Sequence, residues 1–384
     1  MISSPAAAIR RSIKTAALPV RCPNASEDCR DSPVLSEDKY SAVRAYVPLR
    51  QSAKRERVFA AGHLTGKSPQ AGKHSMNTAT ILRIEHTSIS DGEGMRTVVF
   101  FKGCPLRCAW CSTPESHLRN REVYYKKERC TGCRRCMSVC PQGALSVSPS
   151  GAMLRDHEKC TNCFACAEAC LYGAMRIYGK EMTVEQVMKE IEKDQVFYFH
   201  SGGGVTLSGG DVLMQADFAE ELLKECAESA IDTAAELDLF GSRENIERII
   251  PLLSHFYVDL KLMDPQKHKK WTGQDNVSII GNLIRADEIC APGAIRVRVP
   301  LIRGINDDRE NLQKTAEFCR ELKNVSALEF LPYHRLGIHA YEQLQRPCVL
   351  QDEPRMDREE ALEKISFLKL QSWPFMMLLD GETL

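Results

Sequence analysis

The rhythm of apolar and polar positions changes along this chain. Residues 1–75 carry no sustained apolar period, and residues 97–101 (TVVFF) are the first run that reads as a buried strand. After residue 180, strand-like runs alternate with amphipathic helical text. Residues 183–194 (TVEQVMKEIEKD) predict a helix with Thr183 as its N-cap. Strands are expected at 205–208 (VTLS), 231–235, 256–262, 295–302 (IRVRVPLI) and 327–331. Helices are expected at 216–229, 242–253 and 307–322, with helical text running on to residue 289. Alternation at this spacing indicates parallel βα units, hence an α/β barrel or open sheet. In such folds ligands meet the carboxyl ends of the strands.

Composition narrows the class. The 384 residues carry 51 Lys+Arg and 51 Asp+Glu, so no global positive field exists to hold nucleic acid. With 43% hydrophobic and 27% charged residues the balance is that of a globular protein. No run approaches the roughly 18–20 apolar residues of a membrane span. Residues 1–75 hold 13 Lys+Arg against 6 Asp+Glu, a net of +7, and are rich in Ala, Ser, Arg and Pro. We expect them to be disordered, or an extension upstream of a true start at Met76. The lack of acidic residues before Glu27 leaves an organellar transit peptide as an alternative, while Ala16–Val20 is too short for a secretory signal.

Seventeen cysteines stand out, eleven of them between residues 104 and 170. An odd count in a long chain argues for metal ligation in a reducing compartment rather than a disulfide scaffold. Cys130-x2-Cys133-x2-Cys136-x3-Cys140-Pro141 is followed by Cys160-x2-Cys163-x2-Cys166-x3-Cys170. Both match the bacterial ferredoxin spacing, in which the fourth cysteine crosses to the other 4Fe–4S cluster. One cluster is then expected on Cys130, Cys133, Cys136 and Cys170, the other on Cys160, Cys163, Cys166 and Cys140. Zinc, the alternative, is usually held by two separated pairs. Upstream lies Cys104-x3-Cys108-x2-Cys111, within GCPLRCAWCSTPES. Three thiolates hold three irons of a cubane and leave the fourth open to exogenous chemistry. Cys226, Cys290, Cys319 and Cys348 read as packing cysteines, and Cys22 and Cys29 as incidental.

The CxxxCxxC loop with Trp110 before its third cysteine resembles the radical S-adenosylmethionine (SAM) enzymes. More narrowly, the chain resembles the activating enzymes of glycyl radical enzymes, relatives of pyruvate formate-lyase activase, from about residue 81 to 349. The motifs are SDGEGMR at 90–96, with Glu93 for proline, and GGVTLSGGDVLMQ at 203–215, with Asp211-Val212 for Glu-Pro. They continue with IDTA at 231–234, VDLKLMD at 258–264, the Trp271–Gly273 turn with Asn276, PLIRGIN at 300–306, with Arg303 for proline, and LPYHRLG at 331–337. The double cysteine insert resembles that of the larger activases.

This resemblance implies a partial (β/α)6 barrel spanning residues 76–384, interrupted by a ferredoxin-type insert at 120–178. It implies that Cys104, Cys108 and Cys111 bind the cluster that cleaves SAM to a 5′-deoxyadenosyl radical, which removes a hydrogen atom from a backbone glycine of a partner enzyme. SAM contacts are expected from Trp110, Ser112, Gly209, Gly210, Asp211 and Arg298, with His334 at the ribose. Lys261 and Asp259 are the expected catalytic pair, Lys261 approaching the SAM carboxylate. Asp232, Thr233 and Asp259 are expected to shape a monovalent cation site. The implied cofactors are SAM and three 4Fe–4S clusters. The implied partners are a glycyl radical enzyme and a low-potential donor such as flavodoxin or ferredoxin, without nucleic acid or membrane, for a cytoplasmic monomer. Two other readings are a radical SAM enzyme acting on another peptide or small molecule, and a plain electron carrier, which would yield no 5′-deoxyadenosine. Because residues 1–75 lack core-forming periodicity, a chain beginning at Met76 should fold and cleave SAM at an unchanged rate, measured by 5′-deoxyadenosine release.

Overall fold

The computed structural model describes residues 77–384, so the expectations for residues 1–75, with Cys22 and Cys29, lie outside the described residues. Its strands are β1 (Thr78–Ser88), β2 (Arg96–Phe101), β3 (Glu122–Tyr125), β4 (Leu145–Val147), β5 (Met153–Arg155), β6 (Met175–Tyr178), β7 (Lys180–Thr183), β8 (Gly204–Gly209), β9 (Asp232–Leu237), β10 (His255–Asp259), β11 (Ile295–Leu301), β12 (Val325–Pro332), β13 (Met376–Leu379) and β14 (Glu382–Thr383). Its helices are α1 (Arg135–Ser138), α2 (Ala165–Glu168), α3 (Val184–Ile191), α4 (Gln195–Ser201), α5 (Ala216–Glu228), α6 (Arg243–Ile249), α7 (Pro265–Thr272), α8 (Val277–Ile289), α9 (Arg309–Glu321), α10 (Ile338–Leu344) and α11 (Arg358–Ile365).

One ten-stranded sheet runs in the order β14-β13-β12-β11-β10-β9-β8-β2-β1-β7. β2 and β8 to β12 are the six parallel strands the alternation predicts, and β13 continues the parallel set. The order has two free ends, so the barrel is open. Burial alternates along β11: Ile295, Val297, Val299 and Leu301 are buried, while Arg296, Arg298 and Pro300 are half-buried. The apolar series faces the helices. Val99, Leu207, Phe256 and Val297 share one core with Leu222, Ile246, Leu283 and Leu312. The other face is therefore polar, and it is the inside of the barrel.

Elements also differ from the pattern in the sequence: β10, expected at 256–262, already ends at Asp259 and leaves Lys261 just beyond the strand. β9, expected at 231–235, runs from Asp232 to Leu237, because Glu236 and Leu237 continue the ladder opposite Tyr257 and Val258. The strand end, where function is sought, thus moves past residue 235. The helical run to 289 divides into α7 and α8, separated by Gly273, whose φ of +84° ends the first helix.

The cysteine insert consists of two small antiparallel ribbons, β3 with β6 and β4 with β5, and the short helices α1 and α2. It docks on the barrel through the end of α10. Arg155 donates to the Leu344 carbonyl at 3.0 Å, and its backbone N–H donates to Gln345 Oε1 at 2.7 Å. Arg346 pairs with the buried Glu122. Arg303, where the family motif has proline, reaches Glu353 at 2.9 Å and also pairs with Glu360 of α11, so it clamps the C-terminal segment. Among the described residues no helix is long and apolar enough to cross a membrane.

Thr183 caps α3 as predicted: its hydroxyl accepts from the Gln186 amide at 3.2 Å, and Gln186 accepts in return from the Thr183 amide at 3.1 Å. Thr183→Ala removes this cap and should cost about 1 kcal/mol, read as a lower denaturant midpoint at unchanged slope.

Candidate functional site

The loop bearing Cys104, Cys108 and Cys111 leaves the carboxyl end of β2 and is pinned from several elements. The Gly103 amide donates to Ser116 O at 2.6 Å, and Cys104 N–H to His117 O at 3.2 Å. From the end of α7, Thr272 O and Trp271 O accept from the amides of Arg107 and Ala109 at 2.7 and 3.0 Å. The Trp271–Gly273 motif therefore serves as a scaffold for Cys108. Trp110 packs at the edge of the core, and Ser112 is exposed beside Cys111.

Gly209 and Gly210 lie beneath this loop at the end of β8. Gly209 has φ +103°, and a side chain at Gly210 would place its Cβ 2.1 Å from Gly103 O. These glycines allow two backbones to cross. Asp211 N–H donates to Gly103 O at 2.7 Å. The Asp211 carboxyl is fully buried, and both oxygens accept from amides, Leu213 N–H at 2.7 Å and Asp238 N–H at 2.8 Å. Burial, then the neighbouring Asp238, pushes its pKa well above the usual carboxylate range. The Asp211 carboxyl, expected at SAM, is thus occupied by two backbone amides of the protein, one of them that of Asp238.

Asp259 and Lys261 emerge together on the inner face at the end of β10, as their two-residue spacing requires. Lys261 Nζ lies 3.2 Å from Asp259 Oδ2 and is almost inaccessible. Burial opposes its charge, but Asp259, then Cys108 and Asp238, outweigh that cost and raise its pKa. Asn306 holds the backbone here, donating to Lys261 O at 2.9 Å. On β11, Arg298 is gripped by Glu236 at 2.5 Å and Glu329 at 3.0 Å and lies over the Tyr257 ring. His334 comes after β12 on an exposed turn whose Gly337 presses against the Cys111 carbonyl.

Asp232 is a clear misplacement. It opens β9 at the opposite edge of the sheet, where it pairs with the buried Arg96 at 2.9 Å. Thr233 faces outward and donates to Leu252 O. The expected cation trio of Asp232, Thr233 and Asp259 is therefore not assembled. The acids that do reach the functional edge are Glu236 and Asp238, both missed in the sequence. Asp238 Oδ2 lies 3.5 Å from Cys104 Sγ, and Glu236 also accepts from Ser208 at 2.5 Å. The signal is present as period-two spacing through Ala234, Glu236 and Asp238, but a strand ending at 235 stops before it. Glu329, a lone charge inside VSALEFLP, was also missed.

The thiols fit a metal cluster chemically. Burial first, with nearby acids and thiols, raises Cys104, and burial pushes Cys108 up to about 12 and Cys111 up to about 11. Uncharged thiols gathered beside Lys261 are what iron would reverse, since coordination removes the thiol proton. In the insert, one small pocket is lined by Cys130, Cys133, Cys136 and Cys170. A second is lined by Cys160, Cys163, Cys166 and Cys140. Each pocket gathers the four cysteines that the exchanged ferredoxin spacing groups together. Backbone amides are aimed at the crossing sulfurs, Ala144 N–H at Cys140 (3.3 Å) and Ala174 N–H at Cys170 (3.2 Å), as a negative cluster requires. Cys226 and Cys319 are fully buried in the main core, as packing cysteines should be.

Comparison with known proteins agrees with this geometry. A profile of the 4Fe-4S dicluster domain matches residues 122–171, and one of the radical SAM superfamily matches residues 157–319. The trans-4-hydroxy-L-proline dehydratase activating enzyme of Clostridioides difficile is 42% identical over 75% of this chain and 95% of its own. The indoleacetate decarboxylase activating enzyme of Tractidigestivibacter scatoligenes is 42% identical over 69% and 86%. The choline trimethylamine-lyase activating enzyme of Oleidesulfovibrio alaskensis is 38% identical over 75% and 93%.

Asp232 and Glu236 occupy opposite ends of one strand. Glu236→Gln should weaken SAM binding by at least tenfold, because it frees Arg298 at the functional edge. Asp232→Asn should leave SAM affinity unchanged while lowering the melting temperature. Equilibrium binding and thermal unfolding of both variants check the assignment.

Proposed function

Because this chain belongs to the activating enzymes of glycyl radical enzymes, within the radical SAM superfamily, we propose that it carries three 4Fe–4S clusters and acts on one glycyl radical enzyme as its protein substrate. The observation that carries the reading is the three-cysteine loop set against the Asp259–Lys261 pair at the carboxyl edge of an open parallel sheet. When bound, SAM and the cluster on Cys104, Cys108 and Cys111 supply one-electron chemistry that yields a 5′-deoxyadenosyl radical.

The residues of the chain bind, orient and exclude. Lys261 presents a charged ammonium for a carboxylate, and Asp259 fixes its direction. Arg298, held rigid by Glu236 and Glu329, presents the rest of its guanidinium to the same space. Trp110, Ser112, the Gly209–Gly210 edge and His334 border the cofactor. A monovalent cation there would face Glu236 and Asp259 rather than Asp232. The polar inner face and the open barrel admit a peptide segment. A backbone glycine is a suitable hydrogen-atom donor, because no Cβ obstructs approach and its α-radical is delocalised over the flanking amides. Electrons come from a low-potential carrier such as flavodoxin or ferredoxin, and the enzyme works as a cytoplasmic monomer. Nothing in the site favours a small-molecule substrate or a purely electron-carrying role.

Anaerobically reconstituted protein should hold roughly 12 irons per chain. Mixed with SAM, a reductant and its cognate glycyl radical enzyme, it should generate a glycine-centred radical. Electron paramagnetic resonance should show a doublet from one α-hydrogen, lost when that glycine is replaced by alanine. Cys108→Ala should abolish SAM cleavage, whereas Cys133→Ala should retain some with a strong chemical reductant. Brisk SAM cleavage that yields no glycine radical in any enzyme encoded nearby would overturn the reading.

A further inference from the structure

The two halves of the cysteine insert repeat the same backbone with different charge. Arg134 and Phe164 occupy equivalent positions, each the residue after the second cysteine, each with positive φ (58° and 67°), each opening a four-residue helix. The fold thus requires this backbone but leaves the side chain free, so the choice of side chain carries information. Residues 126–140 hold Lys126, Lys127, Arg129, Arg134 and Arg135 against Glu128 alone, a net of +4. The equivalent residues 156–170 hold Lys159 against Asp156, Glu158 and Glu168, a net of −2.

The basic half also faces outward. Lys127, Arg129, Arg134 and Arg135 are exposed, and none forms an ion pair among the described residues. Arg129, Arg134 and Arg135 line the first pocket. Next to Cys170, Leu171 and Tyr172 are 76% and 53% exposed, and Tyr172 lines the same pocket as the three arginines.

The other half faces the barrel. Arg155 and Val123 line the second pocket. Arg155 reaches Leu344 O of α10, and His157 Nε2 lies 3.1 Å from Gln345 O. No hydrogen bond joins residues 126–140 to the barrel among the described residues. One end of the insert is therefore fastened to α10, and the other is left free and charged.

We propose that the basic patch of Arg129, Arg134 and Arg135 with Tyr172 is the docking surface for an acidic one-electron carrier protein, so that electrons arrive at the Cys130 pocket and leave through the Cys160 pocket toward α10. The proposal rests on reading the insert as a two-cluster domain. At the patch the carrier is oxidised by one electron and this chain is reduced by one, with no bond or proton exchanged. A small basic patch with exposed apolar side chains next to it in sequence suits a brief redox encounter, in which opposite charge accelerates association and salt screens it. A nucleic-acid role is disfavoured by the exposed Leu171 and Tyr172 and by the zero net charge of the chain.

The test is anaerobic stopped-flow bleaching of the reconstituted clusters by an acidic flavodoxin hydroquinone, across ionic strength. The wild-type second-order rate should fall steeply with salt. Arg129→Glu/Arg134→Glu/Arg135→Glu should lower it at least tenfold at low salt and flatten the dependence, and the triple Arg→Gln variant should fall between. Lys159→Glu, on the other half, should behave as wild type. Photoreduced deazaflavin, which needs no docking, should bleach all variants alike and support SAM cleavage in all of them. Equal flavodoxin rates and salt slopes in wild type and the triple Glu variant would overturn the proposal. So would loss in Lys159→Glu instead, or a defect confined to binding of the glycyl radical enzyme. If wild type itself fails to cleave SAM with deazaflavin, the failure belongs to the underlying enzyme reading instead.

Discussion

The crossing of Gly210 over Gly103 is the constraint on which the site depends. Two backbones approach so closely that a Cβ would lie 2.1 Å from a carbonyl oxygen. The crossing fixes the cysteine loop to the end of β8 and delivers the Asp211 amide to Gly103 O. Asp211 then turns inward, where its two oxygens hold Leu213 and Asp238. Asp238 in turn reaches Cys104. One steric requirement thus orders the loop, the acid behind it and the acid beside it.

An open sheet can line its interior with groups that a closed one has no room for. A closed barrel would fill its interior with packed apolar side chains. Here the inner strand faces carry Glu236, Asp259, Lys261, Arg298 and Glu329. Unpaired, such charges would be costly to remove from water. The structure meets the cost by pairing them: Lys261 with Asp259, Arg298 with two glutamates. Pairing also removes rotamer freedom, so the groups that meet a ligand are already aimed. The departures from family motifs are accommodated locally. Arg303 binds two C-terminal glutamates, and the Glu93 backbone carbonyl accepts from Arg96 at 3.2 Å.

The insert pairs its charges unevenly between two nearly equivalent halves. Cysteine spacing sets the backbone of both, and the remaining positions differentiate them. One half uses Arg155 to fasten itself to α10, while the other keeps its arginines for solvent. The end of α10 thereby touches the insert, and Gly337 just before the helix touches the cysteine loop.

The sequence alone determined the features that depend on local order. Four-cysteine runs fix their own loops, so the grouping of these cysteines was legible, and each group shares one pocket. Period-two and helical patterns fixed the six parallel strands and the Thr183 cap, because burial and capping act over a few residues. Asp259 and Lys261 were legible because their spacing puts them on one face whatever surrounds them. Tertiary structure alone decided which end of β9 is functional. Asp232 and Glu236 are both acids on one strand face, and only the register across β2, β8 and β9 shows that Asp232 meets Arg96, as only that across β9, β10 and β11 shows that Glu236 meets Arg298. It also decided that Asp211 is buried by a strand and a loop distant in sequence, and that Arg155 faces α10 nearly two hundred residues later (|i−j| = 189). Partners of that kind are set by how the sheet folds in space, and no local pattern carries them.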